Sequence, residues 1–299
     1  MTEARKFDVI ILGGGLVGLT LGIGLSRHGV TTTLGPLDLA ILRYGVPALV
    51  LLPLLWRIGL RPAGLPTSRL VWMVLGGGLP FGLLVMAGAQ WAPAAHIGVF
   101  MAGSVPLFTA AGSRMTAGTA LARGQWLGLA LVATGLLVLG VSSTASAGAS
   151  WRGDALLVLA GALWAAYTLA FRGSGLSPWQ GAAVVSAWSS LLLVPLVVVL
   201  GAPRLLQAPW TDVALQAAGQ GVAAGLLGLV AYLAAVTRLG AARAALSAAL
   251  VPPLTSLGAA WLLHEPLGPN TLAASALVAM GVVMAAGVRV LPAPPAPRQ

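Results

Sequence analysis

Long intervals without a charged side chain are the feature that most constrains this sequence. No Lys, Arg, Asp or Glu lies between Arg69 and Arg114, and charged residues make up only 7% of the 299 positions. A soluble domain carries roughly 25% charged residues, because its surface must face water. The chain cannot build such a surface, and we therefore predict a polytopic membrane protein.

Ten apolar segments are long enough to cross a bilayer, which takes about 20 helical residues. The interval between Arg69 and Arg114 contains two of them, separated by the break Gln90-Trp91-Ala92-Pro93. We predict an all-α fold with ten transmembrane helices, at residues 8–27, 37–57, 70–90, 94–113, 124–142, 153–172, 178–201, 212–237, 243–263 and 270–289.

The basic residues are distributed unevenly between the two sides of these segments. With the N-terminus placed inside, Arg27, Arg152 and Arg204 lie outside, Arg43 lies within the second segment, and the other basic residues lie inside. Short cytoplasmic loops are enriched in Lys and Arg. We therefore predict an inner (cell) membrane protein with both termini in the cytoplasm. The net charge of +10 then comes from loop arginines that orient the chain in the membrane. We therefore expect no nucleic-acid partner.

The two halves of the chain resemble each other at an offset of 146 residues. The stretch DVIILGGG at 8–15 matches DALLVLAG at 154–161, and VPLFT at 105–109 matches VPPLT at 251–255. Each half holds five spans, so the second half must enter the membrane upside down, as in many secondary transporters. We predict a first repeat at 1–141, a linker at 142–152, a second repeat at 153–291 and a Pro-rich cytoplasmic tail at 292–299.

The glycine stretch near the N-terminus has two interpretations. Gly13, Gly15 and Gly18 form G-x-G-x-x-G, which in a soluble enzyme cradles a dinucleotide pyrophosphate. Residues 7–34 accordingly resemble the N-terminus of FAD-dependent monooxygenases. No acidic residue follows to hold the ribose, and no further alternation of strands and helices appears. We therefore favour a small-residue face for helix packing and expect no cofactor; a flavoprotein fragment fused to a membrane domain is the alternative.

The second half resembles the EamA-type branch of the drug/metabolite transporter superfamily. The resemblance rests on GDALLVLAGALWAAYTLA at 153–170, LGAARAALSAALVP at 239–252 and WLLHEPL at 261–267, with PLDLAILRY at 36–44 in the first half. It implies a transporter, not an enzyme, that exports or exchanges a small amino-acid-like or drug-like metabolite by alternating access. Thr119 stands where the second half has Glu265, and Gly18 where it has Trp164; both depart from the family pattern.

Arg43 and a set of aromatic side chains are candidates for the substrate pathway. Arg43 lies within a predicted span, where a charge costs several kcal/mol unless it is paired or reaches water. It either snorkels to the outer rim or, beside Tyr44, binds an anion. Trp164 and Tyr167 are three residues apart and share a helix face. These two either pack helices together or line a cavity, with Trp188 and Tyr232.

Two prolines fall near the middle of predicted spans four and nine. Pro106 and Pro252 each remove a helical hydrogen bond and free the carbonyl four residues earlier. Broken helices line the sites of many transporters, although prolines are also absorbed as simple kinks by packing. We predict a role in gating or in the pathway for both.

Several classes of chemistry lack support in the sequence. There is no cysteine, and we find no P-loop, catalytic triad or cluster of metal-ligating residues. No Asp or Glu lies near the middle of a predicted span, so coupling by a buried carboxylate is unsupported. We expect a small-molecule substrate and the lipid bilayer as partners, and the sequence leaves open whether the chain forms a homodimer. A membrane protein without transport activity is the remaining alternative.

Overall fold

A computed structural model describes residues 34–118, 120–145, 151–200, 204–240, 244, 248–264 and 266–286. Within these residues all regular structure is helical and no strand occurs, which confirms the all-helical membrane fold. The helices are α1 (Pro36–Val50), α2 (Leu52–Ile58), α3 (Thr67–Gly77), α4 (Leu79–Trp91), α5 (Ala94–His96), α6 (Gly103–Ala117), α7 (Arg123–Ala145), α8 (Trp151–Arg172), α9 (Pro178–Leu200), α10 (Trp210–Gln216), α11 (Leu229–Leu239), α12 (Val251–Leu263) and α13 (Pro269–Ala285), with π-helical segments π1 (Ile97–Ala102) and π2 (Ala217–Gly228) and a 3-10 turn at Arg204–Leu206.

Six continuous helical stretches in the described part are long and apolar enough to cross a membrane: Thr67–Trp91, Ala94–Thr116, Arg123–Ser143, Trp151–Arg172, Pro178–Leu200 and Trp210–Leu239. The bent pair α1 and α2 gives a seventh, and the shorter apolar helices Ala248–Trp261 and Pro269–Ala285 coincide with the last two predicted segments. The first predicted segment, 8–27, lies outside the described residues. The count of ten helices therefore stays a prediction.

Prolines and π-turns account for the breaks within these spans. The axis turns by 64° between α1 and α2, where Pro53 occupies the first turn of α2 and cannot donate to the preceding helix. Pro106 lies inside α6, directly after the wider helical turns of π1. The carbonyl that Pro106 cannot bond belongs to Ala102, the last residue of π1. The change from π-helical to α-helical hydrogen bonding and the hydrogen-bond donor that Pro106 lacks therefore both affect Ala102.

Glycines let α3 and α4 pack closely and antiparallel against α8. A Cβ on Gly76 would come within 2.0 Å of the Leu163 carbonyl oxygen, and one on Gly153 within 2.6 Å of the Gly88 carbonyl oxygen. At one end of this pair the Arg69 guanidinium lies against Gly173. We call this the basic end of the bundle, and the opposite end, where α4 meets the start of α8, the far end.

Candidate functional site

A small cavity lies at the centre of the bundle. Its walls come from α1, α3, α8, α9, π2 and α11, and its volume is about 20 Å³, room for roughly one water molecule. Four of the residues predicted for the pathway line it, together with a serine of α9: Arg43, Tyr44, Trp164, Tyr232 and Ser186. Trp164 lies near the middle of α8, so the cavity is deep within the membrane-spanning region.

Arg43 brings a positive charge to this cavity. Its Nη1 donates to Gln220 Oε1 of π2 at a long 3.4 Å, and its guanidinium carbon lies 6.0 Å from the Tyr44 ring centre. Its buried Nε finds no acceptor, and no acidic side chain of the described residues forms an ion pair with it. A guanidinium in this setting is costly unless something negative joins it. Arg43 is therefore equipped to hold an anion.

Aromatic rings form one wall of the cavity. The Trp164 ring lies 5.1 Å from the Tyr232 ring and 4.9 Å from the Phe81 ring. Thr168 Oγ1 donates to the Trp164 carbonyl oxygen at 2.8 Å, so Tyr232 OH must donate to Thr168 Oγ1, 2.7 Å away. This network fixes the orientation of Tyr232 against α8. The wall is preorganised rather than loosely packed.

The position of Arg43 depends on a close approach of α1 and π2. A Cβ on Gly225 would lie 2.4 Å from the Arg43 carbonyl oxygen, and one on Gly221 would lie 2.7 Å from Val46 Cβ. Only glycine leaves room for these contacts, because a Cβ has no flexible neighbour to displace. The small residues of π2 thus set the distance at which α1 presents Arg43 and Tyr44 to the cavity.

The break between α3 and α4 is held by two side chains. Tyr44 OH donates to the Gly78 carbonyl oxygen at 2.8 Å, and Leu79 N donates to Ser189 Oγ at 3.0 Å. The bond from Leu79 N replaces a helical bond that the break interrupts, whereas the Gly78 carbonyl oxygen also accepts from Gly82 N at 3.1 Å. The two side chains also tie α1 and α9 to the point where α3 reaches the cavity.

Two predicted aromatic residues lie outside the cavity. Tyr167 is fully buried, with its ring 5.3 Å from the Trp164 ring and against Gly77, so it supports the wall from behind. Trp188 donates through Nε1 to the Leu60 carbonyl oxygen at 2.9 Å. Two residues that are two positions apart in a helix point in directions that differ by about 200°. Because Ser186 faces the cavity, Trp188 faces away from it.

The two prolines do not occupy equivalent places in the structure. Pro106 is inside α6 and lines a different cavity of about 230 Å³, with Thr109 and Arg172. Pro252 is the second residue of α12. A proline in a first turn removes no intrahelical bond, so Pro252 does not break the hydrogen bonding of α12. The role of both prolines in gating or in the pathway stays a prediction.

A buried histidine–aspartate pair was missed by the sequence analysis. His96 Nδ1 and Asp154 Oδ1 lie 2.9 Å apart, and both side chains are buried. The pair joins the last residue of α5 to the first turn of α8 at the far end. The two residues are 58 positions apart in the sequence, so their pairing depends on the packing of α5 against α8. Asp154, an acid at the start of an otherwise apolar helix, was the signal available.

Some predicted features lie outside the described residues. These are the glycine stretch with Gly13, Gly15 and Gly18, and the compared positions Thr119 and Glu265. The interpretation of the glycine stretch as a packing face therefore stays a prediction.

Comparisons with known proteins support the transporter assignment. Residues 151–287 match the model of the EamA-like transporter family. A crystal structure that shares 18% sequence identity superposes with a TM-score of 0.64, over 93% of this chain and 97% of that chain, which shows a common fold. No curated protein matches the chain. The chain is thus a multi-pass membrane protein, and its residues 151–287 are similar to the EamA-like transporter family.

Proposed function

We propose that this protein is a secondary transporter that exports or exchanges a small metabolite by alternating access. The observation that carries the proposal is the cavity at mid-depth between the two halves, lined by Arg43 and Tyr44 from one half and by Trp164 and Tyr232 from the other. Transporters built from repeats bind their substrates at this place.

The packing of α7 against α13 supports two inverted repeats. A Cβ on Gly135 would meet Val278 and the Ala274 carbonyl oxygen, and a Cβ on Gly281 would meet Val132 and the Gly128 carbonyl oxygen. Gly281 lies 146 positions after Gly135. The partners of Gly281, Val132 and Gly128, lie 146 positions before the partners of Gly135, Val278 and Ala274. Contacts that exchange in this way are expected when two repeats are related by a two-fold axis.

The cavity volumes support an alternating-access cycle. The central cavity of about 20 Å³ is too small for a metabolite, whereas cavities of about 230 and 580 Å³ lie toward the basic end and share Ser113 and Arg172. The site has to widen before a substrate enters or leaves. We propose that the two halves rock around the central cavity, with this conformation as an occluded one.

The orientation follows from charge. We propose that the basic end faces the cytoplasm of a cell with an inner membrane, because short cytoplasmic loops retain Lys and Arg. Export would then load the substrate from the side on which the larger cavities lie.

A metabolite comparison tests the proposed function. Cells that overproduce the protein are compared with cells that lack it, and each compound whose level differs is assayed for uptake into proteoliposomes. We expect saturable flux of at least one compound with the purified protein and none with empty liposomes. Absence of saturable flux for every candidate compound would remove the transport proposal.

The absence of native cysteine makes a second test direct. Single variants Ser113→Cys and Ser186→Cys are labelled with a membrane-impermeant maleimide in right-side-out and inside-out vesicles. We expect Ser113→Cys to react from the cytoplasmic side only. We expect Ser186→Cys to react slowly from either side, because the central site opens alternately. Labelling of Ser186→Cys from one side alone under all conditions would contradict alternating access.

A further inference from the structure

We infer that the central cavity recognises the planar oxyanion of a small organic anion, such as a carboxylate, through Arg43 and Trp164. The inference rests on the proposed transport function and specifies the class of substrate. It comes from hydrogen-bond donors at the cavity that lack acceptors.

Two buried N–H groups at the cavity are unpaired within the described part of the chain. They are Arg43 Nε and Trp164 Nε1, and both belong to side chains that line the cavity. Guanidinium and indole groups donate and cannot accept. A buried donor without a partner is costly to maintain. The missing component is therefore an acceptor, and it can bind in the cavity once the cavity widens in the proposed transport cycle.

Neighbouring groups do not supply that acceptor. The Tyr44 and Tyr232 hydroxyls donate to the Gly78 carbonyl oxygen and to Thr168 Oγ1. Both hydroxyl oxygens keep lone pairs that can accept, but neither forms a hydrogen bond with Arg43 Nε or Trp164 Nε1. Gln220 Oε1 reaches only Arg43 Nη1, at 3.4 Å, which is a weak bond. None of these oxygens carries a charge, so the positive charge of Arg43 remains uncompensated by the described residues.

An oxyanion satisfies both requirements. A carboxylate accepts two parallel bonds from a guanidinium and neutralises its charge. Its free lone pairs can also accept from an indole N–H. A neutral amide would supply an acceptor without the charge, and a cation would be repelled by Arg43. The site is therefore expected to discriminate between substrates by their charge.

The rest of the substrate contacts rings and backbone. Trp164, Tyr232 and Tyr44 line the cavity together with Gly225 and Gly228. Flat aromatic faces favour a flat or apolar body, and glycines allow close approach of the backbone. Benzoate, a carboxylate on a ring, combines these properties and serves as the probe. Benzamide has nearly the same shape without the charge.

The test compares benzoate and benzamide binding to the purified full-length protein by calorimetry and by thermal unfolding. We expect benzoate to bind and to raise Tm, and benzamide to bind at least about tenfold more weakly. Arg43→Gln should weaken benzoate binding by at least about tenfold, and Arg43→Lys should recover it only partly because lysine lacks the planar fork.

Trp164→Phe keeps an aromatic ring but removes the N–H together with the five-membered ring of the indole. It provides the second test if Arg43→Gln fails to fold. Benzoate binding should weaken roughly tenfold. Trp188→Phe is the matched control, since it removes an indole N–H that is bonded to Leu60 away from the cavity. Benzoate binding should be unchanged in that variant.

Three results would overturn the inference: no benzoate binding to the wild type, equal binding of benzamide, or full binding by Arg43→Gln. The proposed function is judged separately by flux. Saturable transport of a neutral or cationic metabolite that Arg43→Gln leaves unchanged would preserve the transporter and refute the anion site. Absence of saturable flux for every candidate compound would refute the transporter itself.

Discussion

Replacing Gly128 by alanine should force α7 and α13 apart. The added Cβ would lie 2.3 Å from the Ala285 nitrogen and 2.6 Å from the Gly281 carbonyl oxygen. Both are backbone atoms, so no side chain can move aside, and the helices must separate by roughly 1 Å to restore ordinary contact. Overpacking of this kind costs about 1–3 kcal/mol, offset by about 0.5–1 kcal/mol because alanine favours the helix over glycine.

Gly124→Ala is the matched control for this experiment. Gly124 lies one turn earlier on the same helix, and a Cβ there meets nothing within 4 Å. The Gly124→Ala variant should gain only the higher helix propensity of alanine. Its Tm should therefore equal or exceed that of the wild type. Thermal unfolding of the detergent-solubilised protein should show Gly128→Ala several degrees lower. Equal Tm values for the two variants would refute the close contact between α7 and α13.

Three further predictions concern transport, stability and topology. Gly225→Ala should displace α1 and lower the flux in vesicles several-fold, whereas Gly219→Ala, with open space around its Cβ, should leave flux unchanged. His96→Ala should lower the free energy of unfolding by about 1–3 kcal/mol, because it removes a buried hydrogen-bond partner. Asp154→Asn, which can still bond His96, should be milder in the same unfolding assay; equal losses would contradict this reading. Reporter fusions after residue 148 should report outside and fusions at the C-terminus inside; the reverse result would overturn the orientation.

The membrane spans were predictable because their signal is local. A run of apolar residues without charge indicates a span whatever its neighbours are, and the described helices coincide with the predicted segments from 37–57 onward. Arg43 was predictable as a candidate for the same reason, since a charge inside such a run stands out in the sequence. Its assignment to substrate binding stays a prediction.

Features that depend on helix rotation were not predictable. The sequence places Trp188 and Ser186 in the same helix, but only the packing of α9 decides that Ser186 faces the cavity. The pair of His96 and Asp154 depends likewise on where α5 meets α8. Apolar residues surround these helices on most sides, so hydrophobic periodicity gives little information about which face is buried.

The glycines of this chain connect its stability to its proposed function. A polar site inside a membrane bundle needs side chains from several helices at one point, and it needs their backbones to be close. Gly225 permits the contact between π2 and the Arg43 backbone, and Gly77 lies between the cavity and the Tyr167 ring. In lipid, the hydrophobic effect does not drive helices together, so such close packing has to hold the site. A cavity the size of one water molecule follows from that packing, and the proposed transport cycle must loosen the packing reversibly. We therefore expect the contacts at Gly225 to change during transport, and those at Gly128 to persist as the fixed part of the scaffold.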